Sequence, residues 1–426
     1  MCGGLFGNRL LSFEFKSKRV YLKCINCNST FNANPMLFLC PKCGGLLEVI
    51  VEVDKGISWD RFRARRFNVW RYRELLPVPS DVEIVTLGEG GTPLIPLVNM
   101  EHYGLPRSLR VYVKFEGSNP TGSFKDRGMT VAVSLAKYVG VKAAIVASTG
   151  NTAASASAYS ARAKIKCIVL LPKGKVAKGK LGQAILHGAQ IIEVKGSFDN
   201  ALEAVMKTVK TTNKLYPLNS FNPWRLEGQK TIAYEIADEL NNQLDWVIVP
   251  VGNAGNISAI WKGFRELYKL KLIEKLPKMI GVQAEGASPL VKTWSIKSNK
   301  LIPVNKPETC ATAIRIGKPI NWAKALKAVK ESKGMFIAVS DSEIIESQKI
   351  LAKFEGIDVE PAGAVGLAAL LKLNRENIVD HGSNIVIVAT GHALKDVDII
   401  IKYYDVVKIS ADTTEVLSVI DRIISK

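Results

Sequence analysis

Several common enzyme signatures are missing from this chain. Only four histidines occur in 426 residues: His102, His187, His381 and His392. No G-x-S-x-G run is present either, which argues against a serine-hydrolase triad. There is no complete G-x-G-x-x-G. The stretch 174-GKVAKGKL-181 almost matches a triphosphate-binding loop, but Leu181 replaces the hydroxyl that would meet Mg²⁺, so that reading is rejected. No apolar run exceeds strand length; 246-WVIVPV-251 is among the longest. A membrane span is therefore not expected. The start, MCGGLFGNRLLSFEFK, lacks the apolar stretch and cleavage site of a signal peptide, and a cytoplasmic protein is expected. Hydrophobic residues at 47% and charged residues at 23% are ordinary for a folded protein and exclude a disordered chain.

Charge is plentiful and mostly of one sign. The formal balance is +19. Residues 1–73 hold 13 basic and 5 acidic side chains, densest at 61-RFRARR-66. Such a balance suits nucleic acid, an anionic surface or small anionic substrates. Taken alone, the run reads as a solvated face, and nucleic-acid binding ranks below it.

Four of the seven cysteines form two tandem pairs, 24-CINC-27 and 40-CPKC-43. Each pair sits beside turn residues, and 12 residues separate them. That spacing predicts one tetrahedral zinc held by Cys24, Cys27, Cys40 and Cys43. Four thiolates close the coordination sphere, so the metal would be structural. Flanking runs 19–24 and 46–53 read as strands of a small zinc ribbon over residues 1–55. Cys167 lies in an apolar strand and reads as packing.

A basic, partly helical linker follows over 56–83, with Pro77 and Pro79 ending its helical part. Beyond it, apolar runs of strand length alternate with amphipathic helical segments. The strands are 111–115, 143–148, 165–171, 190–194, 246–251, 279–284, 335–339 and 385–390; the helices include 123–139, 178–188 and 198–212. This pattern predicts an α/β fold of parallel sheets covered on both faces. Its length calls for two lobes: a large one from 84–117 and 215–426, and a small one from 118–214.

Three strand-to-helix turns carry candidate chemistry. In 117-GSNPTGSFKDRGM-129, Ser123 and Asp126 fit a capping box that starts a helix at Phe124 and puts Lys125 in its first turn. The positive end of the helix dipole disfavours an ammonium there and favours the neutral amine that forms an imine. An exposed lysine on a solvated helix is the equal alternative at this point. The turn 148-STGNTAAS-155 opens an alanine-rich helix, which is either an anion site or an ordinary cap. The turn 250-PVGNAGN-256 offers several backbone N–H groups to one phosphate.

Together these segments resemble the threonine synthase family, pyridoxal-phosphate enzymes of the tryptophan-synthase-β group (fold type II). The resemblance runs through 88-GEGGTPL-94, 119-NPTGSFKDRGM-129, 148-STGNTAAS-155, 172-PKGKVAKGKLGQA-184, 219-NSFNPWRLEGQKT-231, 250-PVGNAGN-256, 311-ATAIRIG-317, 360-EPAGA-364 and 390-TGHALKD-396. It implies that Lys125 joins pyridoxal 5'-phosphate as an imine. By the same resemblance Asn151 meets the ring hydroxyl, Thr390 faces the ring nitrogen, and Gly252, Asn253, Ala254, Gly255 and Asn256 cradle the cofactor phosphate. Ser148, Thr149 and Thr152 would bind the substrate carboxylate, and Asn219, Ser220 and Arg225 the phosphate of a small phosphorylated amino acid. The implied reaction turns O-phospho-L-homoserine and water into L-threonine and phosphate, in a homodimer. The scaffold also admits an O-phosphoserine-using cysteine or cysteate synthase, or a threonine dehydratase.

Overall fold

In this computed structural model the described residues are 15, 18–53, 56–173, 178–196, 198–212, 214–241, 243–401 and 409–424. Part of the 172–184 motif, residues 174–177, therefore lies outside them, as do residues 1–14. The chain divides into one unit through Lys395 and a second from Asp396 onward.

The cysteine pairs lie at the end of β1 and in the turns beside a three-stranded antiparallel sheet of order β2-β1-β3, built from β1 (Lys18–Cys24), β2 (Thr30–Asn32) and β3 (Leu47–Val53). Alternation sends Val20, Leu22 and Cys24 inward opposite Leu47 and Val49. The two pairs repeat one backbone device. The Cys24 carbonyl accepts from Asn28 N–H at 3.1 Å, and the Cys40 carbonyl from Gly44 N–H at 2.8 Å. Asn28 (φ 58°) and Gly44 (φ 71°) are both left-handed, which is how each turn folds back on its cysteines.

The linker forms α1 (Trp59–Arg63) and a 3₁₀ segment, Val69–Leu75, before Pro77. Arg61, Arg63 and Arg66 are exposed, as expected of a solvated face, but the linker's arginines also make ion pairs. Arg63 and Arg71 both donate to Asp238, at 2.8 and 2.9 Å, while Arg61 and Arg65 converge on Glu74. Phe62, inside the basic run, is fully buried.

The small lobe carries a parallel sheet of order β8-β7-β6-β9: β6 (Ala143–Ala147), β7 (Lys166–Pro172), β8 (Gln190–Val194) and β9 (Leu215–Pro217). The last strand lies just past the boundary drawn at residue 214. Helices α2 (Lys125–Tyr138), α3 (Asn151–Arg162), α4 (Lys178–Leu186) and α5 (Phe198–Thr211) belong to this part of the chain.

The large lobe has a six-stranded sheet of order β12-β11-β10-β13-β5-β4, parallel except for β4. Its strands are β4 (Leu94–Pro96), β5 (Arg110–Phe115), β10 (Trp246–Pro250), β11 (Lys278–Ala284), β12 (Met335–Val339) and β13 (Asn384–Ala389). Every residue of β10 and β13 is buried, as expected for strands covered on both faces. Helices α6 (Pro223–Gln229), α7 (Thr231–Leu240), α8 (Gly255–Lys269), α9 (Pro289–Ser295), α10 (Trp322–Glu331), α11 (Asp341–Glu355) and α12 (Pro361–Arg375) accompany it. The second unit contains α13 (Val397–Ile401) and α14 (Thr413–Ile424), with Leu417, Ile420, Ile423 and Ile424 exposed. No described helix is long and apolar enough to cross a membrane.

Candidate active site

The candidate residues follow the carboxyl ends of parallel strands, where open α/β sheets bind ligands. Lys125 opens α2, and its position is set by a backbone weave. Phe124 N–H donates to the Thr390 carbonyl at 3.1 Å, and Ser123 bridges Gly391 just beyond β13. The expected capping box does not form. The Ser123 hydroxyl is buried without a partner among the described residues, and the Asp126 carboxylate accepts instead from Thr121 N–H (2.7 Å), the Thr121 hydroxyl (2.6 Å) and the Ser155 hydroxyl (2.5 Å). Burial lifts Asp126 to about 6, against those hydrogen bonds.

Helices α2 and α6 cross at a pair of glycines. A methyl group on Gly128 would lie 2.6 Å from the Arg225 carbonyl, and one on Gly228 would lie 1.7 Å from the Arg127 carbonyl. Only glycine permits this approach, and it sets Lys125 and Arg225 on two crossed helices. Burial brings the Lys125 ammonium down to about 7; the positive charge of Arg225 adds to this and Glu360 opposes it. Arg225 is 2% exposed and its Nε has no acceptor among the described residues. Among the described residues no carboxylate pairs with it, and burial lowers it to about 10. A buried guanidinium lacking a counter-charge is costly unless an anion arrives.

The turn after β10 is strained. Ala254 adopts φ +63°, a left-handed conformation that costs on the order of 1–3 kcal/mol outside glycine. The buried side-chain oxygens of Asn253 and Asn256 and the Asn256 amide have no partner among the described residues. Gly252 abuts the 311–317 segment: a methyl there would lie 3.1 Å from the Ile314 Cα. A methyl on Gly255 would lie 3.0 Å from Leu226, beside Arg225. Asn321 joins this turn to the next loop, donating its backbone N–H to the Asn253 carbonyl (3.1 Å) and its amide to the Ser220 carbonyl (3.0 Å).

Asn151 is buried and donates to both oxygens of Glu360, at 3.0 and 2.9 Å, while the Thr390 hydroxyl lies 3.4 Å from the same carboxylate. Ser148 caps its turn, accepting from Gly150 and Ala153 N–H at 3.3 and 3.2 Å. Thr149 and Thr152 are half-exposed beside it. Asn219 commits both side-chain atoms to the backbone of Ala147, at 2.9 and 2.8 Å, so it pins the 218–225 loop to the end of β6.

Two charged residues near Lys125 were not singled out from sequence. Glu360 opens the quoted EPAGA segment, and Lys395, in TGHALKD, donates to the Thr121 carbonyl at 2.9 Å and to Gln183. Their place in motifs already noted was the available signal. Apart from this cluster, the four cysteine sulfurs lie within 4.8 Å of one another, with Cys24–Cys43 at 3.4 Å and Cys27–Cys40 at 3.7 Å. A tetrahedral ion with ~2.3 Å bonds to sulfur sets its ligands about 3.8 Å apart, so the arrangement fits.

Residues 85–391 match a family described as "Pyridoxal-phosphate dependent enzyme". The chain is 54% identical to a threonine synthase of Methanocaldococcus jannaschii, over 89% of this chain and 94% of that protein. It is 48% identical to one from Methanosarcina acetivorans, over 88% and 92%. Among solved structures it is similar to maize serine racemase, with a TM-score of 0.61 at 21% identity over 74% of this chain and 91% of that one. A cysteine synthase from Entamoeba histolytica gives 0.60 at 22% identity, over 75% and 90%. These two likenesses speak to the fold, which is that of the fold type II enzymes. The matches in sequence, over about nine-tenths of the chain, establish that it belongs to the pyridoxal-phosphate dependent enzymes and, within them, to the threonine synthase family.

Proposed function

We propose that the chain converts O-phospho-L-homoserine and water into L-threonine and inorganic phosphate. The observation that carries this reading is Arg225, a buried guanidinium with no carboxylate partner among the described residues, on a helix crossing that of Lys125. The residues also fit the cofactor. The strained turn at Ala254, the unpartnered Asn253 and Asn256 and the close-packed Gly252 and Gly255 suit a phosphate held at the start of α8. Lys125, partly neutral near pH 7, would carry the cofactor, with Asn151 and Thr390 beside its ring.

When bound, pyridoxal phosphate supplies an electron sink that makes the substrate's Cα and Cβ protons removable. The protein's own groups do the rest. Arg225 would grip the γ-phosphate through its planar donors, with Ser220 beside it and Asn219 fixing the loop. Ser148, Thr149 and Thr152 would orient the carboxylate. The Lys125 amine would take the Cα proton and later return it, a dual role served by a pKa near the working pH. Overall the Cγ–O bond to phosphate breaks and a Cβ–O bond to water forms.

The four cysteines would hold a structural zinc, and the homodimer and cytoplasmic location implied by the resemblance belong to this proposal. Its test is a product assay on the cofactor-loaded protein, with Lys125→Ala as control. Equal threonine and phosphate from O-phospho-L-homoserine, absent in the control, supports the reaction. Phosphate with 2-oxobutyrate, or no turnover, counts against it.

A further inference from the structure

We infer that Lys262 is a positioning residue for the substrate phosphate: it ties the edge of the cysteine-bearing sheet to the back of α6 and so fixes Arg225. This rests on the reading of Arg225 given above.

Helix α6 has seven residues, too few to be stable alone, so its placement depends on what it touches. Residues 225 and 227 are about 200° apart around a helix, so they face nearly opposite ways. Arg225 lies at the crossing with α2. Glu227, 2% exposed, is held on the other side by Lys230 at 2.7 Å and by Lys262.

Lys262 has a second commitment. Strand β3 is an edge of its sheet, with outward carbonyls that no strand pairs. Two lysines from the large lobe meet them. Lys324 of α10 donates to the Leu47 carbonyl at 2.8 Å, and Lys262 of α8 donates to the Val49 carbonyl. Of these two, Lys262 alone continues to α6, through Glu227. The residue before Arg225, Trp224, is fully buried in one apolar cluster with Val20, Leu22, Phe38 and Val49 of the ribbon. Helix α6 also packs against β3 itself, so the helix that carries Arg225 leans on the cysteine-bearing domain. The ribbon reaches the small-lobe sheet as well, since Phe38 packs edge-on against Tyr216 of β9, with ring centroids 5.2 Å apart.

The pair of lysines supplies its own control. Lys262→Met cuts the tie to α6 but leaves Glu227 paired with Lys230 and Glu48 with the charge of Lys324, so no buried charge is stranded. Lys324→Met cuts a ribbon contact without touching α6. In cofactor-loaded protein, inorganic phosphate is titrated by calorimetry and L-threonine by the change in cofactor absorbance. Lys262→Met should weaken phosphate about tenfold, roughly the effect of one charged hydrogen bond. KM for O-phospho-L-homoserine should rise in step, while kcat and L-threonine affinity stay nearly constant. Lys262→Arg should recover most of the loss, and Lys324→Met should show little. Unchanged phosphate affinity in Lys262→Met overturns the inference, as does an equal loss of L-threonine affinity or an equal effect of Lys324→Met. Should Lys262→Met fail to fold, Glu227→Gln carries the same expectation at smaller size. Arg225→Met separates the two claims. Phosphate affinity unchanged in that variant defeats the reading of Arg225 itself, whereas a loss there with none in Lys262→Met defeats only the role of Lys262.

Discussion

Two arginines lie buried at the crossing of α2 and α6, and they are satisfied in opposite ways. Arg127 is fully enclosed. Its Nε and amino groups bond Glu116 at 2.6 and 2.7 Å, Glu235 at 2.6 and 2.7 Å, Thr92 at 2.9 Å and Thr231 at 3.1 Å. Lys114 joins the same cluster, 3.0 Å from Glu235. Arg225 is almost as buried yet has an orphaned Nε and no carboxylate partner among the described residues. Equal burial with unequal satisfaction separates structure from function. The first cation completes an internal network, and the second, on the proposed reading, receives an anion from outside.

The comparison breaks most sharply by mutation. Arg127→Met strands Glu116 and weakens the hold on Glu235, and should destabilise the fold by about 3–5 kcal/mol, seen as a large fall in Tm. Arg225→Met removes a charge without a counter-charge and should leave Tm unchanged or raised. Its kcat/KM for the phosphorylated substrate should fall by roughly a hundredfold or more. A collapse of the fold in Arg225→Met would erase the distinction.

Proton linkage sharpens the same contrast. Burial alone would raise Glu235, but Arg127 and Lys114 outweigh it and hold the carboxyl at about 2. Its folded pKa is depressed, so its contribution to stability is present above pH ~4.5 and is lost as pH falls towards 2. Arg127→Met should flatten that acid limb in urea titrations. Lys125 behaves otherwise. In cofactor-free protein it is largely neutral above about 7, while the unfolded chain keeps its proton up to about 10.5. The unfolded state then binds more protons, and stability should rise with pH through that window. Lys125→Met should remove the rise.

Metal removal is expected to act on one side of the comparison only. Chelation of the ribbon, or Cys27→Ser, should lower Tm and weaken phosphate more than L-threonine, because the ribbon braces α6 rather than the Arg127 network. Equal loss of both ligands would speak for general unfolding. The smallest effect concerns Glu360. Its charge raises Lys125, so Glu360→Gln should move the pH midpoint of cofactor capture by the apo-protein to lower pH. An upward shift would contradict the assigned geometry.

Much of this was legible in the sequence, for a local reason. Strands buried on both faces, such as β10 and β13, are written as continuous apolar runs, and these two together with β5, β6, β7, β8, β11 and β12 lie within one residue of the expected limits. The loops after them carry their chemistry in contiguous motifs. What the sequence hid depends on distant partners. Leu215–Pro217 is too short for a periodic signal and becomes a strand by pairing with β6. The capping box at Ser123 fails because Thr121 and Ser155 take the Asp126 carboxylate. The basic run 61–66 is solvated at Arg61, Arg63 and Arg66, and what the run does not reveal is the pairing of Arg63 with Asp238, 175 residues away. Glu360 near Lys125 and Lys262 behind Arg225 are hidden for the same reason.

The most direct test of the central claim is phosphate binding by cofactor-loaded Arg225→Met, read beside its Tm. The account predicts a protein at least as stable as the parent, with the cofactor absorbance retained and phosphate affinity largely lost. A destabilised protein that binds phosphate as tightly as the parent would show that Arg225 holds the fold together and does not receive the substrate.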